Sequence, residues 1–484
     1  MAYRLGQVSY RNKGRWASSI ALVSSMTIAT AAWSQHDPYT GPVWTDKVKS
    51  TYDTSSVWYA FKNGSITGHF RQFSMATINR KEYPDYYAIA IGGGIRYQTT
   101  RFHGFQFTLS GFFIYNLSSS DLATPDPETG AKNRYEIGLF DVEDPTNHHD
   151  LDRLEELSLS WKHKRFLVTY GKQIINTPFM NPQDGRMRPS EVSGLWMQYQ
   201  PGKWKLEGGW LNSMSPRSTV RWFSVASSIG IYPSGVNTDG RKAGYPESLE
   251  TKGIGYLSGT YQPSKQWSLQ LLNQYVENIF NTAMLQVNYQ HPYGDGHLVA
   301  AAQYIRQDAI KDGGNSDPAK TYFSPDQHSN IFSGRLGWNN KDWQTSLNYT
   351  RITKSGRFLM PREWGRDPLF TFMQRERNEG LGDVNAYMAR VTRQLAQNRL
   401  MVNVAIGRFD LPAVNNYALN KYGMPSYGQA NLGATYQFTG ILKGLQAELL
   451  YVYKWHRGEE DAEAKNVVNK TDMSNINLIF NFQF

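Results

Sequence analysis

Arg186 and Arg188 stand two residues apart in Asn176-Thr-Pro-Phe-Met-Asn-Pro-Gln-Asp-Gly-Arg-Met-Arg-Pro-Ser190, a stretch dense in Pro, Asn, Asp and Gly. Such residues pre-shape a loop through local turns. Equal parity aims both guanidinium groups at one side, where a planar fork of N–H donors matches a carboxylate. With Asp184 just before them they form a candidate anion site, although an exposed basic loop tip reads equally well locally. A second dense segment, 355–380, sets Arg357, Arg362, Arg366, Arg375 and Arg377 among Glu363, Asp367, Glu376 and Glu379. Near-balanced charge reads first as an ion-pair network that folds a loop, and second as solute contact. A third group, Asp141, Glu143, Asp144, His148, His149, Asp150 and Asp152, has carboxylates and imidazoles but no recognised ligand spacing, so no metal is assigned. Nor is any cofactor. Absence of Cys excludes a disulfide scaffold, a thiolate metal site and a Cys nucleophile. There is no Gly-x-Ser-x-Gly elbow for a hydrolase. Gly92-Gly-Gly94 falls inside a strand pattern, so it reads as room for a loop or ligand near a wall rather than a phosphate cradle.

The elements that must hold these groups announce themselves at the carboxy terminus. In Ser474-Asn-Ile-Asn-Leu-Ile-Phe-Asn-Phe-Gln-Phe484 the even positions from Ile476 to Phe484 are apolar, the odd ones are Asn or Gln, and only Ile479 breaks the alternation. A strand apolar outward, polar inward and ended by Phe suits the last stave of a bacterial outer-membrane barrel. Eighteen segments alternate in this way, from 65–73 to 475–484, an even number that closes an antiparallel barrel. Long and short connections also alternate, the fifth outer loop (277–281) excepted, which puts the short turns in the periplasm and strand one running outward. The 14% aromatic content, 42 Gly and polar mean hydropathy of -0.55 fit strands with aromatic girdles, for which Tyr97, Trp161, Trp338 and Trp455 are candidates.

At the other end, Arg4, Arg11, Lys13 and Arg15 precede an apolar run from Ala17 to Ala32 and small-residue sites, a signal-peptide pattern cleaved before Gln35. Its removal lowers the formal charge from +10 to +6. The remaining basic residues are interleaved with acidic ones, which argues against a nucleic-acid partner. The expected organisation is a signal peptide (1–34), a periplasmic segment (35–64) and an all-β transmembrane barrel (65–484) with an inward-folded third loop, 173–193.

Setting apolar positions outward turns Arg71, Arg96, Lys205, Arg335, Arg390 and Lys454 into the lumen, against Glu207 and Glu448. Fixed positive charge in a water-filled lumen concentrates anions and slows cations. The bland reading is that these side chains pair with loop carboxylates and brace the wall.

The stretch Val168-Thr-Tyr-Gly-Lys-Gln173 leading to Thr177-Pro-Phe-Met-Asn-Pro-Gln-Asp-Gly-Arg-Met-Arg-Pro189, with the loop Pro361-Arg-Glu-Trp-Gly-Arg-Asp-Pro368, resembles the OprD-type outer-membrane porin family. The resemblance implies an eighteen-strand substrate-selective channel, an inward third loop and a ladder of basic residues guiding carboxylate-bearing solutes. This chain departs in the ladder, its basic residues being scattered over several strands. The expected function is passive diffusion of small hydrophilic solutes, favouring anionic ones, with Arg186, Arg188 and Asp184 at the constriction and no enzymatic step. A barrel whose outer loops serve as a receptor or structural element, or a barrel hydrolase, are the rivals. Expected partners are outer-membrane lipid, the solutes, and the barrel assembly machinery through the strand ending at Phe484, the chain being a monomer or a trimer.

Overall fold

Residues that alternate between apolar and polar favour extended backbone with one face for lipid and one for water. The computed structural model, which describes residues 56–182, 186–458 and 463–484, forms eighteen such strands. They are β1 (Ser65–Ile78), β2 (Tyr86–Gln98), β3 (Phe105–Ser119), β4 (Arg153–His163), β5 (Phe166–Gln173), β6 (Glu191–Tyr199), β7 (Trp204–Ser215), β8 (Ile254–Tyr261) and β9 (Trp267–Val276) in the first half. The second half has β10 (Phe280–Tyr293), β11 (Gly296–Ala309), β12 (His328–Asn339), β13 (Trp343–Ile352), β14 (Val384–Leu395), β15 (Leu400–Asp410), β16 (Tyr427–Gln437), β17 (Leu445–His456) and β18 (Met473–Gln483). A two-residue piece, Phe223–Ser224, pairs with β7 inside a loop. Each strand is antiparallel to its chain neighbours, and β1 pairs with β18, so the sheet closes.

Closure runs to the last residue. Gly68 and Phe484 exchange two backbone hydrogen bonds of 3.1 Å, and the Phe484 ring stacks on Phe70. A Cβ at residue 68 would lie 2.0 Å from the Phe484 ring, so the bare backbone of Gly68 is what lets the terminal aromatic lie down. The outward face is the apolar belt that parity predicted: Phe70, Ile95, Phe113, Leu271, Leu336 and Leu432 are all exposed. Ile479 breaks the alternation because it points inward into an apolar patch with Phe73, Met75, Phe112 and Met187. Strands overrun the expected ends on the outer side, β1 to Ile78 and β3 to Ser119, where backbone pairing with β2 continues.

The signal segment (1–34) and most of 35–64 lie outside the described residues. Of the latter, Val57–Lys62 forms a short helix whose N-cap Ser56 accepts from the Tyr59 N–H at 3.1 Å. Its Ala60 carbonyl accepts from the Thr100 amide in the turn after β2, which fixes it at the short-turn rim of the barrel.

Candidate functional site

The seventh outer loop, 353–383, does not stay outside. Its segment 368–376 lies against the inner wall and meets eight strands. The Pro368 carbonyl accepts from Gln303 on β11 at 3.4 Å, the Phe370 N–H donates to Ser333 on β12 at 3.1 Å, and Thr371 bonds Thr350 on β13 at 2.8 Å. Arg390 on β14 donates to the Phe372 carbonyl at 3.1 Å. On β15 the wall is bare Gly407, whose absent Cβ would sit 2.7 Å from the Met373 sulfur. Gln429 and Asn431 on β16 bond the carbonyl and side-chain oxygens of Gln374, and Arg375 donates to Asn475 and Asn477 on β18 at 2.9 and 2.6 Å. The inward amides of the closing strand thus hold a loop.

The third loop, now 174–190, straps the opposite wall. Arg71 on β1 donates to the Arg186 carbonyl at 2.6 Å, and Met187 lies over Gly92 on β2, where a Cβ would be 3.0 Å from its methyl. Arg188 donates to the carbonyls of Leu151 at 2.7 Å and Phe112 at 3.5 Å, and Arg153 on β4 to that of Pro189 at 3.0 Å. The two straps are stitched together. Ser190 donates to the Glu363 carbonyl at 2.8 Å, and Asn181 bonds the backbones of Trp364 and Arg366. The Glu363 carboxylate in turn accepts from the amides of Gly230 and Tyr232 in the fourth loop. The lumen is therefore narrowed by a double belt of loop backbone fixed to inward Asn, Gln, Ser, Thr and Arg side chains.

Charge within this belt is sorted. Glu376 accepts from Lys454 at 2.9 Å and from Arg134 at 2.9 and 3.1 Å, all deeply set. Burial opposes its ionisation, but Arg134, Lys454 and Arg362 outweigh burial and hold the carboxyl well below the usual range. Arg362 pairs with Glu379 at 2.7 Å and lies 3.9 Å from the Tyr422 ring centre. Burial pushes Asp367 up to about 6, with Arg377 and Arg366 opposing.

A contrasting cluster is cationic. Arg335 on β12 packs over the Phe370 ring at 4.6 Å, Arg366 over Phe372 at 5.0 Å, and Arg390 holds the Phe372 carbonyl. Arg366 and Arg390 are the charged neighbours of Arg335, whose own hydrogen bond goes to neutral Asn348 at 2.8 Å. Arg335 and Arg390 are half-buried, on inward parity. Three guanidinium groups thus concentrate positive charge around one aromatic-backed turn.

The predicted residues therefore divide. Arg335, Arg366 and Arg390 come together, although the sequence puts the first and last on the lumen wall and Arg366 in a separate charge-dense loop. Arg96 pairs with Glu156 of β4 at 2.8 Å and Lys205 with Glu207 of its own β7 at 2.9 Å, partners on the wall, whereas Lys454 meets a loop carboxylate, Glu376, as the bracing reading has it. Arg71, Arg357, Arg375 and Arg377 fasten loop carbonyls or wall amides, Arg357 to Val236, Asn237 and Tyr417, and Arg377 to Arg362 and Gly365. Arg188, expected at the constriction, is 1% exposed, and Arg186 is also buried. An extended loop would have aimed both guanidinium groups into the opening; the strap instead turns Arg188 toward the wall, where burial and then Arg153 lower its pKa to about 9. Asp184 lies outside the described residues. Sequence reasoning missed Arg134, Asn181, Arg153, Glu155 and Glu191, the last three forming a fully buried charged group at inward parity with an Arg153–Glu155 distance of 3.3 Å. Charges at inward parity near strand ends were the available signal. Among the described residues no group of three His, Cys, Asp or Glu gathers as a ligand set.

Solved structures with the same fold include OccAB3 of Acinetobacter baumannii, 16% identical with a TM-score of 0.67, covering 87% of this chain and 99% of that one. OccD3 (OpdP) of Pseudomonas aeruginosa is 15% identical with a TM-score of 0.65, over 88% of this chain and 92% of that one. OpdK of the same organism, crystallised with vanillate, is 13% identical with a TM-score of 0.65, over 88% and 99%. No curated protein sequence matches. A sequence profile for the outer membrane porin, OprD family, matches residues 128–378. That stretch is more than half of the chain and carries both straps, the Arg335–Arg366 pair and Arg134; the chain belongs to the OprD family of outer membrane porins.

Proposed function

We propose that this porin passes small hydrophilic solutes down their gradients with a preference for anionic, carboxylate-bearing ones, and that Arg335, Arg366 and Arg390 set that preference. The observation that carries the reading is the gathering of Arg335, Arg366 and Arg390 on one turn, over the Phe370 and Phe372 rings and at the Phe372 carbonyl. A solute carboxylate crossing there exchanges water for guanidinium donors, each charge-assisted hydrogen bond being worth about 1.5–3 kcal/mol. Binding of that order suffices to enter and is weak enough to leave. The vanillate bound to OpdK, an aromatic carboxylate, supports the same class of solute here. Passage needs no covalent step, so the reading is a channel and not an enzyme. Outer-membrane residence, use of the Phe484 strand by the assembly machinery, and the choice between monomer and trimer belong to the same proposal.

Swelling of proteoliposomes in size-matched benzoate, benzyl alcohol and benzylamine tests it. Benzoate is expected to enter fastest. Equal rates remove the selectivity, and no swelling in any solute favours the receptor reading, in which the straps seal the lumen.

A further inference from the structure

The lipid face carries a groove of about 1050 Å3 with an apolar lining. Register defines its shape. Two adjacent rows of cross-strand neighbours bound it, one passing from Tyr289 on β10 through Ala300 and Leu336 to Ile406 on β15, the other from Val287 through Ala302 and Gly334 to Arg408. Tyr289 is near the end of a strand that descends to the periplasm, and Arg408 near the end of one that ascends, so the rows climb across the membrane. The floor is shallow backbone, because Ala300, Ala302 and Gly334 give it almost no side chain. A Cβ at Gly334 would find only the Ala301 carbonyl, 4.0 Å away, so the space there is open.

The upper end has a different chemistry. Arg408 and Arg457 are the charged residues of outward parity that line the groove, and both stand at its extracellular end beside Trp455. Asp410 lies between them. Arg408 donates its Nε to both Asp410 oxygens at 2.9 and 3.0 Å, and Arg457 donates one terminal N–H at 3.0 Å. One carboxylate facing two guanidinium groups leaves net positive charge, and the terminal nitrogens of Arg408 remain available on a side chain that is 58% exposed.

We propose that this groove is a binding site for a phosphorylated lipid of the outer leaflet, with an acyl chain along the Ala300–Gly334 floor and the phosphate on Arg408 and Arg457. Two features select this occupant. A channel one side chain deep admits an acyl chain but not the convex wall of a second barrel. The cations lie only at the extracellular end, so a lipid of the inner leaflet would bring its phosphate to the aromatic end at Tyr289, where no cation lines the groove.

The whole protein in dodecyl maltoside micelles, titrated with bisphosphorylated lipid A and read by native mass spectrometry, tests the site. The wild type is expected to hold one lipid A. Arg408→Ala/Arg457→Ala is expected to weaken it by about tenfold or more, since two charge-assisted contacts are lost. Gly334→Phe, which fills the floor and leaves the arginines intact, is expected to weaken it similarly. Single-channel conductance serves as the fold check, because none of these residues faces the lumen. Equal lipid A binding by wild type and both variants would overturn the proposal. So would phosphatidylglycerol binding as tightly as lipid A, or lipid-free oligomers that Gly334→Phe dissociates, which would give the groove to a second copy.

Discussion

Replacing Glu376 by Gln should release the seventh-loop strap while leaving the barrel closed. The carboxylate is 6% exposed, and the Lys454 ammonium it neutralises is fully buried, 2.9 Å away, with Arg134 as the second partner. Gln keeps the shape but abandons two cations in a low-dielectric site, a change that costs roughly 3–5 kcal/mol when one partner of a buried pair is removed. Because 1.36 kcal/mol is a factor of ten, the released population of the strap rises roughly 150- to 5000-fold. Strand pairing is untouched, so the loss falls on the loop. Trypsin reports it directly, since the strap holds Arg362, Arg366, Arg375 and Arg377: cleavage of 353–383 should accelerate in E376Q while heat-dependent gel migration of the barrel stays as in wild type. The carboxyl's pKa is depressed, so the pair's stabilisation is full above the unfolded carboxylate value and is lost only as pH falls through the folded one. The ratio of the E376Q and wild-type cleavage rates should therefore be flat from neutral pH into mild acid. A cleavage rate in E376Q within a few-fold of wild type would refute the claim that this pair holds the strap. The double variant Glu376→Gln/Lys454→Met, which removes the abandoned ammonium, should recover much of the protection.

Two further outcomes follow from single residues. Burial raises the Asp367 carboxyl to about 6, so its protonated form favours the packed loop below the unfolded value of 3.8, and that contribution disappears as pH rises through about 6. Protonation also removes a negative charge beside Arg366, so anion preference in planar bilayers should increase as pH drops through about 6; Asp367→Asn should show the acid-side preference throughout, and an unchanged pH profile in that variant would contradict the assignment. Ile479→Asn makes the alternation of β18 perfect but puts an amide against Phe73, Met75, Phe112 and Met187. The loss of burial and the unsatisfied amide together cost on the order of 2–5 kcal/mol. Heat-dependent gel migration should shift to lower temperature, and an unaltered transition would show that the apolar patch contributes little.

The barrel was legible because period-two alternation repeats along each strand and the loop rhythm repeats around the ring. All eighteen segments became strands, and parity put Arg335, Arg390, Asn475 and Asn477 on the inner face where the structure has them. Ends were less legible. Ser74, Thr77 and Ser119 continue their strands, but their own small polar side chains do not mark a face. The belt was not legible, because a loop that follows a wall has no period of its own: what fixes 368–376 is a succession of partners on eight strands. For the same reason the equal parity of Arg186 and Arg188 puts them side by side in an opening, whereas the carbonyls of Phe112 on the wall and Leu151 in the second loop draw Arg188 into cover. Glu376 looked like one of four acidic residues balancing five arginines, and only the packing of β17 singles it out. The anomaly at Ile479 carried real information, namely that something apolar, Met187, approaches the wall from inside.

The central claim is that cations of the Arg335–Arg366–Arg390 cluster bias what passes. Its most direct test is the single-channel reversal potential across a potassium chloride gradient, measured for wild type and for Arg335→Gln/Arg390→Gln. An anion-selective reversal potential is expected in the wild type, moving toward the cation-selective side in the double variant, with conductance retained because the strap keeps Arg375 and Glu376. A wild-type potential at the ideal non-selective value, or a double variant indistinguishable from wild type, would contradict it.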